Sequence, residues 1–290
     1  MQKLALGSAQ FGLPYGVANR TGQTPITEVE KILQVAFDHG IDAIDTAIAY
    51  GDSEKVLGTI GVNRFKVVTK LPACNVKPAA VKNWVYKLLE DSLTRLRIDL
   101  LYGLLLHNPR DLTSGPGKEL ADVLLELRST GRVEKIGVSI YDPSDLEATT
   151  KALPLDIVQA PANLVDRRLE RSGWLPRLKA QNIEIHVRSA FLQGLLLLPR
   201  HAIPQKFQRW SWLWDRWHAN LKDLNISPVS ACLSYSLSLP HVDRVVVGVE
   251  RALQLRELIE SASFESFHVD WSFMGHDDLE LVEPSRWGRL

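Results

Sequence analysis

The stretch TEVEKILQVAFDHGIDAIDTAIAYGDSEKVLGTIGVNRFKVVTK, from Thr27 to Lys70, reads twice over as helix followed by strand. A helical pattern over about 27–39 opens on Thr27, three residues before Glu30 in capping-box spacing, and stops at Gly40. Ile41 to Asp45 is then a short apolar strand, 52–60 a second helix, and Lys66 to Lys70 a second strand. Such alternation marks parallel βαβ units, because parallel strands need a crossover long enough to hold a helix.

The same rhythm extends in both directions. Strands are expected at about 4–8, 41–45, 66–70, 99–106, 134–138, 156–160, 183–188 and 243–247. Helices are expected at about 27–39, 52–60, 78–96, 117–130, 143–151, 171–181, 205–224 with 228–238, and 251–261. Pro78, Pro143 and Pro228 stand near helix starts and Gly131 at a helix end. Eight strands alternating with helices over one domain's length predict a closed (β/α)8 TIM barrel spanning 1–290. The competing arrangement is an open parallel sheet with an added helical domain, but neither GxGxxG nor GxxxxGK(S/T) follows any strand to support it.

Two places are irregular. Phe11 to Pro25, with Gly12, Pro14, Gly16 and Gly22, is expected to be a long loop above the first strand. Further on, Trp210, Trp214, Trp217 and Leu221 fall on one helical face, either a helix packed on the barrel or part of a substrate wall.

Composition narrows the function. Lys plus Arg and Asp plus Glu both number 34, so no basic field exists to hold a phosphate backbone, and nucleic acid is not an expected partner. Cys74 and Cys232 are too few for a disulfide framework and suit a reducing compartment. Met1-Gln2-Lys3 leads straight into Leu4-Ala5-Leu6-Gly7 without a basic and then apolar leader, and no apolar run approaches the roughly 18 residues of a membrane span. A cytoplasmic protein with no membrane contact is expected.

Active sites of such barrels are built at the carboxyl ends of the strands. Here Asp45 ends the second strand, Lys70 the third and His107 the fourth, while Tyr50 in the loop Thr46 to Gly51 can fold back over the same opening. A phenol titrates near 10 and is a poor acid at neutrality, but a nearby ammonium at Lys70, kept protonated by Asp45, would lower that value. A neutral imidazole at His107 can orient a carbonyl oxygen without taking a charge. Together they form a proton donor aimed at an oxygen that gains negative charge, as carbonyl reduction by hydride requires. Taken singly, Asp45 and Lys70 also read as an ordinary buried ion pair and His107 as a core histidine.

At these residues the chain resembles the aldo/keto reductase superfamily. The matching segments include Leu6 to Gly12, Gly40 to Glu54, Val68 to Lys70, Leu105 to His107, Gly137 to Ser139, Gln159 to Asn163, Arg188 to Gly194 and Val247 to Glu257. The resemblance implies a barrel that binds extended NADPH or NADH without a Rossmann domain and delivers hydride to an aldehyde or ketone. By position it makes Tyr50 the general acid in reduction and base in oxidation, Asp45 and Lys70 its tuning pair, and His107 the residue that orients substrate.

The resemblance also places the cofactor. Ser139 and Gln159 occupy the nicotinamide carboxamide positions, with Ile140 where the family's usual Asn stands. Arg188, followed by Ser189, stands where many members stack an aromatic ring on the nicotinamide; its planar guanidinium can stack instead, or turn to a phosphate or carboxylate. Gly248, Glu250, Arg251 and Gln254 lie on the stretch that grips the adenosine end. Arg251 can neutralise a 2′-phosphate and Glu250 can accept from a free ribose hydroxyl, and the balance leans to NADP(H), with NAD(H) as the alternative.

A small or sugar-like carbonyl is the leading substrate class; Arg188 with Gln10, Asn108 and Asn163 near the mouth suggests a hydroxylated or anionic one, and an apolar carbonyl compound stays open because Trp residues could line the same mouth. A metal-dependent hydrolase or isomerase using His107, Asp45 and His186 fits poorly, since the first strand lacks His-x-His and Lys70 would repel the ion, so no metal is expected. A catalytically slow barrel that serves as a cofactor-binding or regulatory subunit is the alternative from another class. The sequence leaves the oligomeric state open.

Overall fold

The computed structural model describes residues 3–263 and 269–289. Among the described residues eight strands close into a parallel barrel in sequence order: β1 (Leu4–Gly7), β2 (Ala43–Asp45), β3 (Lys66–Leu71), β4 (Leu101–Leu106), β5 (Val133–Ser139), β6 (Ile157–Pro161), β7 (Glu184–Arg188) and β8 (Arg244–Gly248). The ring closes where Leu4 to Gly7 pair with Val245 to Gly248. The open-sheet alternative is thereby excluded.

Strand alternation divides the apolar residues between two cores. Leu4, Leu6, Ile44, Leu104, Leu106 and Val247 face outward into the main core shared with the helices. Inside the barrel, where room is scarce, Ala5, Ala43 and Val246 form one small cluster and Val68, Leu105 and Ile157 another. Below them, toward the amino ends of the strands, Lys135 donates to the Tyr102 hydroxyl (2.7 Å), which donates to Glu184 (2.9 Å). At the other end the inward positions carry Asp45, Lys70 and Gln159, all buried.

The helix Ile26–Asp38 buries Val29, Ile32, Leu33, Val35 and Ala36 on one face. Its start differs from the expected capping box: Pro25 is the N-cap, its carbonyl accepts from Glu28 N (2.9 Å) and Val29 N (3.0 Å), and Thr27 already lies exposed in the first turn. Proline presets the backbone here, so the hydroxyl is not needed. Gly173 splits the helix expected at 171–181 into Arg168–Arg171 and Trp174–Ala180. Farther on, the expected helix at 205–224 begins as a 3₁₀ segment, Gln205–Trp210, before the α-helix Ser211–Leu224. Trp210, Trp214, Trp217 and Leu221 are all buried, and the Trp214 and Trp217 indoles donate to Phe207 O (2.9 Å) and Leu196 O (3.2 Å). These three tryptophans are therefore barrel packing, while Trp212 between them is exposed.

One buried carboxylate ties the wall behind the second strand. Glu54, on the helix Ser53–Ile60, accepts from Thr69 Oγ1 and Ser92 Oγ (2.6 Å each) and from Arg95 Nε (2.8 Å). It thus fixes that helix, which begins three residues after Tyr50, to β3 and to the helix Val81–Leu96.

Candidate active site

The loop that carries Tyr50 is built onto its neighbours by backbone bonds. Thr46 N donates to Val68 O (2.8 Å), Ile48 N to Lys70 O (3.3 Å), and Ser53 N closes the turn on Tyr50 O (3.0 Å). A buried hydroxyl cluster locks it from behind, Ser53 Oγ lying 2.7 Å from Ser8 Oγ and 3.1 Å from Thr46 Oγ1. Gly12 must be glycine for this loop to sit where it does, since a Cβ would stand 1.9 Å from Tyr50 O and 2.4 Å from Ser53 N.

Lys70 is fully buried, and its ammonium donates to Asp45 Oδ1 (2.7 Å), Asp45 Oδ2 (2.8 Å) and Thr46 O (2.8 Å). Gln159 Nε2 donates to Asp45 Oδ1 (2.6 Å), and Ser139 Oγ to Gln159 Oε1 (3.2 Å). Burial pulls the Lys70 ammonium down, while Asp45 holds it up. The chain Ser139, Gln159, Asp45, Lys70 is thus a saturated buried network, and neither Ser139, Gln159 nor Lys70 lines the cavity in front of it.

That cavity, about 430 Å³, is lined by Asp45, Tyr50 and His107 at its inner end. The Tyr50 ring meets His107 edge to face at 6.0 Å, and Lys70 Nζ lies 5.1 Å from the Tyr50 ring centre. Burial first and the Asp45 charge second push the Tyr50 phenol upward, and Arg188 is the cation that opposes them. This corrects the expectation that Lys70 lowers Tyr50: the ammonium's charge is spent on Asp45, so the phenol keeps its proton.

His107 is shifted in the opposite direction. Burial, then Lys70 and Arg188, bring its imidazole from 6.5 to about 4, leaving it neutral at physiological pH. Between those two values the unfolded chain binds a proton that the folded site refuses, so stability on this account is intact above the window and falls as the pH drops through it. An NMR titration of His107 is expected to show a midpoint near 4, and a midpoint near 6.5 would contradict this electrostatic picture.

Of the residues expected to hold cofactor, Arg188, Ser189, Gly248, Glu250 and Gln254 line the cavity; Arg251 is exposed and outside it. Gln254 Oε1 accepts from Glu250 N (2.8 Å) and Arg251 N (3.1 Å), a capping role before the helix Ala252–Ser263. Of the polar residues expected near the mouth, Gln10 lines the cavity. Asn108 instead donates to Asp111 (2.7 Å), and Asn163 is buried, bracing Ser189 O (3.0 Å). Sequence reasoning missed Tyr15, in the loop above β1, and Tyr141, two residues beyond β5, both of which line the cavity. Their positions depend on loop shape, for which spacing carries no signal.

The sequence model of the aldo/keto reductase family matches residues 3–271. Aldo-keto reductase YhdN of Bacillus subtilis is 30% identical over 185 residues, which span 59% of this chain and 54% of that protein. The 6-dehydroglucose reductase of Novosphingobium aromaticivorans is 25% identical over 86% of this chain and 85% of its own length. In fold, the holo form of an aldo-keto reductase from Bacillus halodurans superposes with a TM-score of 0.74 at 20% identity, covering 94% of this chain and 90% of that one. With the family model covering nearly all of a closed eight-stranded barrel, the chain belongs to the aldo/keto reductase family of oxidoreductases.

Proposed function

We propose that the protein reduces a small aldehyde or ketone to an alcohol with a reduced nicotinamide cofactor, Tyr50 donating the proton, in the cytoplasm. One observation carries this reading. The Tyr50 hydroxyl and the His107 imidazole belong to residues lining one cavity, yet neither makes a hydrogen bond among the described residues, whereas Asp45 and Lys70 behind them are fully engaged. Unengaged donors beside a saturated support are poised for a ligand.

A nicotinamide dinucleotide fits these residues. The cavity runs from Tyr50 and His107 past Gly248 to Glu250, Gln254 and Glu257, and the Gln10 amide lies so near Gly248 that a Cβ there would stand 2.7 Å from it. When bound, the cofactor supplies the hydride. As charge builds on the carbonyl oxygen, neutral His107 holds that oxygen by hydrogen bond and Tyr50 passes its proton to it. The phenolate left behind faces the Arg188 cation. In the oxidative direction Tyr50 accepts the proton instead.

At the adenosine end Glu250 and Glu257 line the cavity while Arg251 is exposed outside it. Two carboxylates repel a 2′-phosphate, which favours NAD(H) over the NADP(H) to which Arg251 alone inclines the sequence. Initial rates with a panel of aldehydes and ketones, run separately with NADH and NADPH, test both statements. Turnover with a lower KM for NADH is expected. Quenching of Trp emission by reduced cofactor without turnover of any carbonyl would favour the cofactor-binding or regulatory alternative.

A further inference from the structure

Arg188 differs from the other arginines at its depth. Every other half-buried arginine among the described residues holds a carboxylate: Arg168 pairs with Asp142, Asp166 and Glu283, Arg244 with Asp42, and Arg128 with Asp156, and the rest are paired likewise. Arg188, also half-buried, has no carboxylate partner among the described residues. One guanidinium nitrogen donates to Ile140 O (3.0 Å), another more weakly to Ser189 Oγ (3.3 Å), and the plane lies over the Tyr141 ring at 4.5 Å. These contacts aim the group while leaving its remaining N–H bonds without an acceptor among the described residues.

The surroundings suit an anion. Tyr15 and Tyr141 line the same cavity as Arg188, Tyr50 and His107. Gln193 Nε2 donates to the Tyr15 hydroxyl (3.0 Å), which leaves that hydroxyl's own proton free to give away. The Tyr141 hydroxyl makes no hydrogen bond among the described residues. Burial, then Tyr50, pushes the Tyr15 phenol up to about 12, so it remains a donor. A half-buried cation without a counter-ion is costly, and one kept in a cavity beside two phenol donors is set to be neutralised by what enters.

We propose that Arg188, flanked by Tyr15 and Tyr141, recognises an anionic group, a carboxylate or a phosphate, on the carbonyl substrate. This rests on the reductase reading above and narrows its substrate class. Tyr50 and His107 take the carbonyl while Arg188 takes the charged end, which orders a small substrate at two points.

The test is the ratio of kcat/KM between matched anionic and neutral aldehydes at saturating reduced cofactor. Succinic semialdehyde is compared with butyraldehyde for the carboxylate, and glyceraldehyde 3-phosphate with glyceraldehyde for the phosphate. The native enzyme is expected to prefer the anionic member of at least one pair, and which pair responds identifies the anion. Arg188→Gln is expected to cut that ratio by roughly 30- to 100-fold. Arg188→Lys should keep part of the preference, since it retains the charge without the planar fork. A ratio unchanged in Arg188→Gln, with both members slowed alike, would assign Arg188 to the cofactor and overturn the proposal. So would a native enzyme with no preference in either pair. If the native protein reduces none of these aldehydes, it is the reductase reading that has failed. The subsite is then read by thermal protection with succinate or glycerol 3-phosphate, expected in the native protein and absent in Arg188→Gln; no protection of the native protein overturns it.

Discussion

Tyr50→Phe is expected to lower kcat by about 10²- to 10⁴-fold, the usual contribution of a positioned general acid. The substitution is clean because the Tyr50 hydroxyl has no hydrogen-bond partner among the described residues, while its ring edge against His107 is retained. Stability and the affinity for reduced cofactor should therefore stay within experimental error of the native protein. Steady-state rates, with cofactor binding followed by Trp emission, separate the two effects. Burial and Asp45 hold the Tyr50 phenol protonated, so the native rate of reduction should show no loss across the neutral range on its account. Unchanged turnover in Tyr50→Phe would remove Tyr50 from the chemistry.

Lys70→Met carries the larger structural penalty. It leaves the Asp45 carboxylate buried with Gln159 as its remaining side-chain donor, and breaking a buried pair in this way typically costs about 3–5 kcal/mol. The urea midpoint should fall accordingly. Pairing it with Asp45→Asn removes the stranded charge while keeping an acceptor for Gln159. The double variant should recover most of the stability yet remain slow, because the ammonium that holds Thr46 O, and with it the loop carrying Tyr50, is gone. Full activity in the stable double variant would mean that Lys70 serves the fold alone.

The barrel was legible because its strands are short apolar segments separated by helical patterns, and all eight fall where that rhythm puts them. Asp45, Lys70 and His107 were legible for the same reason, since strand ends in a closed ring must converge. The shared helical face of Trp210, Trp214 and Trp217 was legible too, but that it packs on the barrel rather than walling the substrate was decided by the structure. What depends on distances was not. The sign of the effect on Tyr50 turns on Asp45 lying within 2.8 Å of Lys70, and pairing order along the chain says nothing of how completely one charge cancels another.

Loop residues were the other gap. Asn163 reads as a polar group at the mouth, yet its amide turns inward, accepting from Val165 N and Asp166 N at 2.9 Å while bracing Ser189. Conversely Tyr15 and Tyr141 carry no periodic signal and still form the walls beside Arg188. Their placement follows from turns such as the one after β7, where Ser189, Leu192 and Gln193 all adopt positive φ (62°, 47° and 53°), a conformation that residue type alone does not announce.

The most direct test of the central claim is transfer of label from reduced cofactor deuterated at the transferring position of the nicotinamide. Incubated with an aldehyde that the enzyme turns over, the protein should place deuterium on the carbinol carbon of the alcohol, one atom per cofactor oxidised, while the hydroxyl proton comes from solvent by way of Tyr50. Alcohol without deuterium, or cofactor oxidised with no alcohol formed, would contradict hydride delivery at this site.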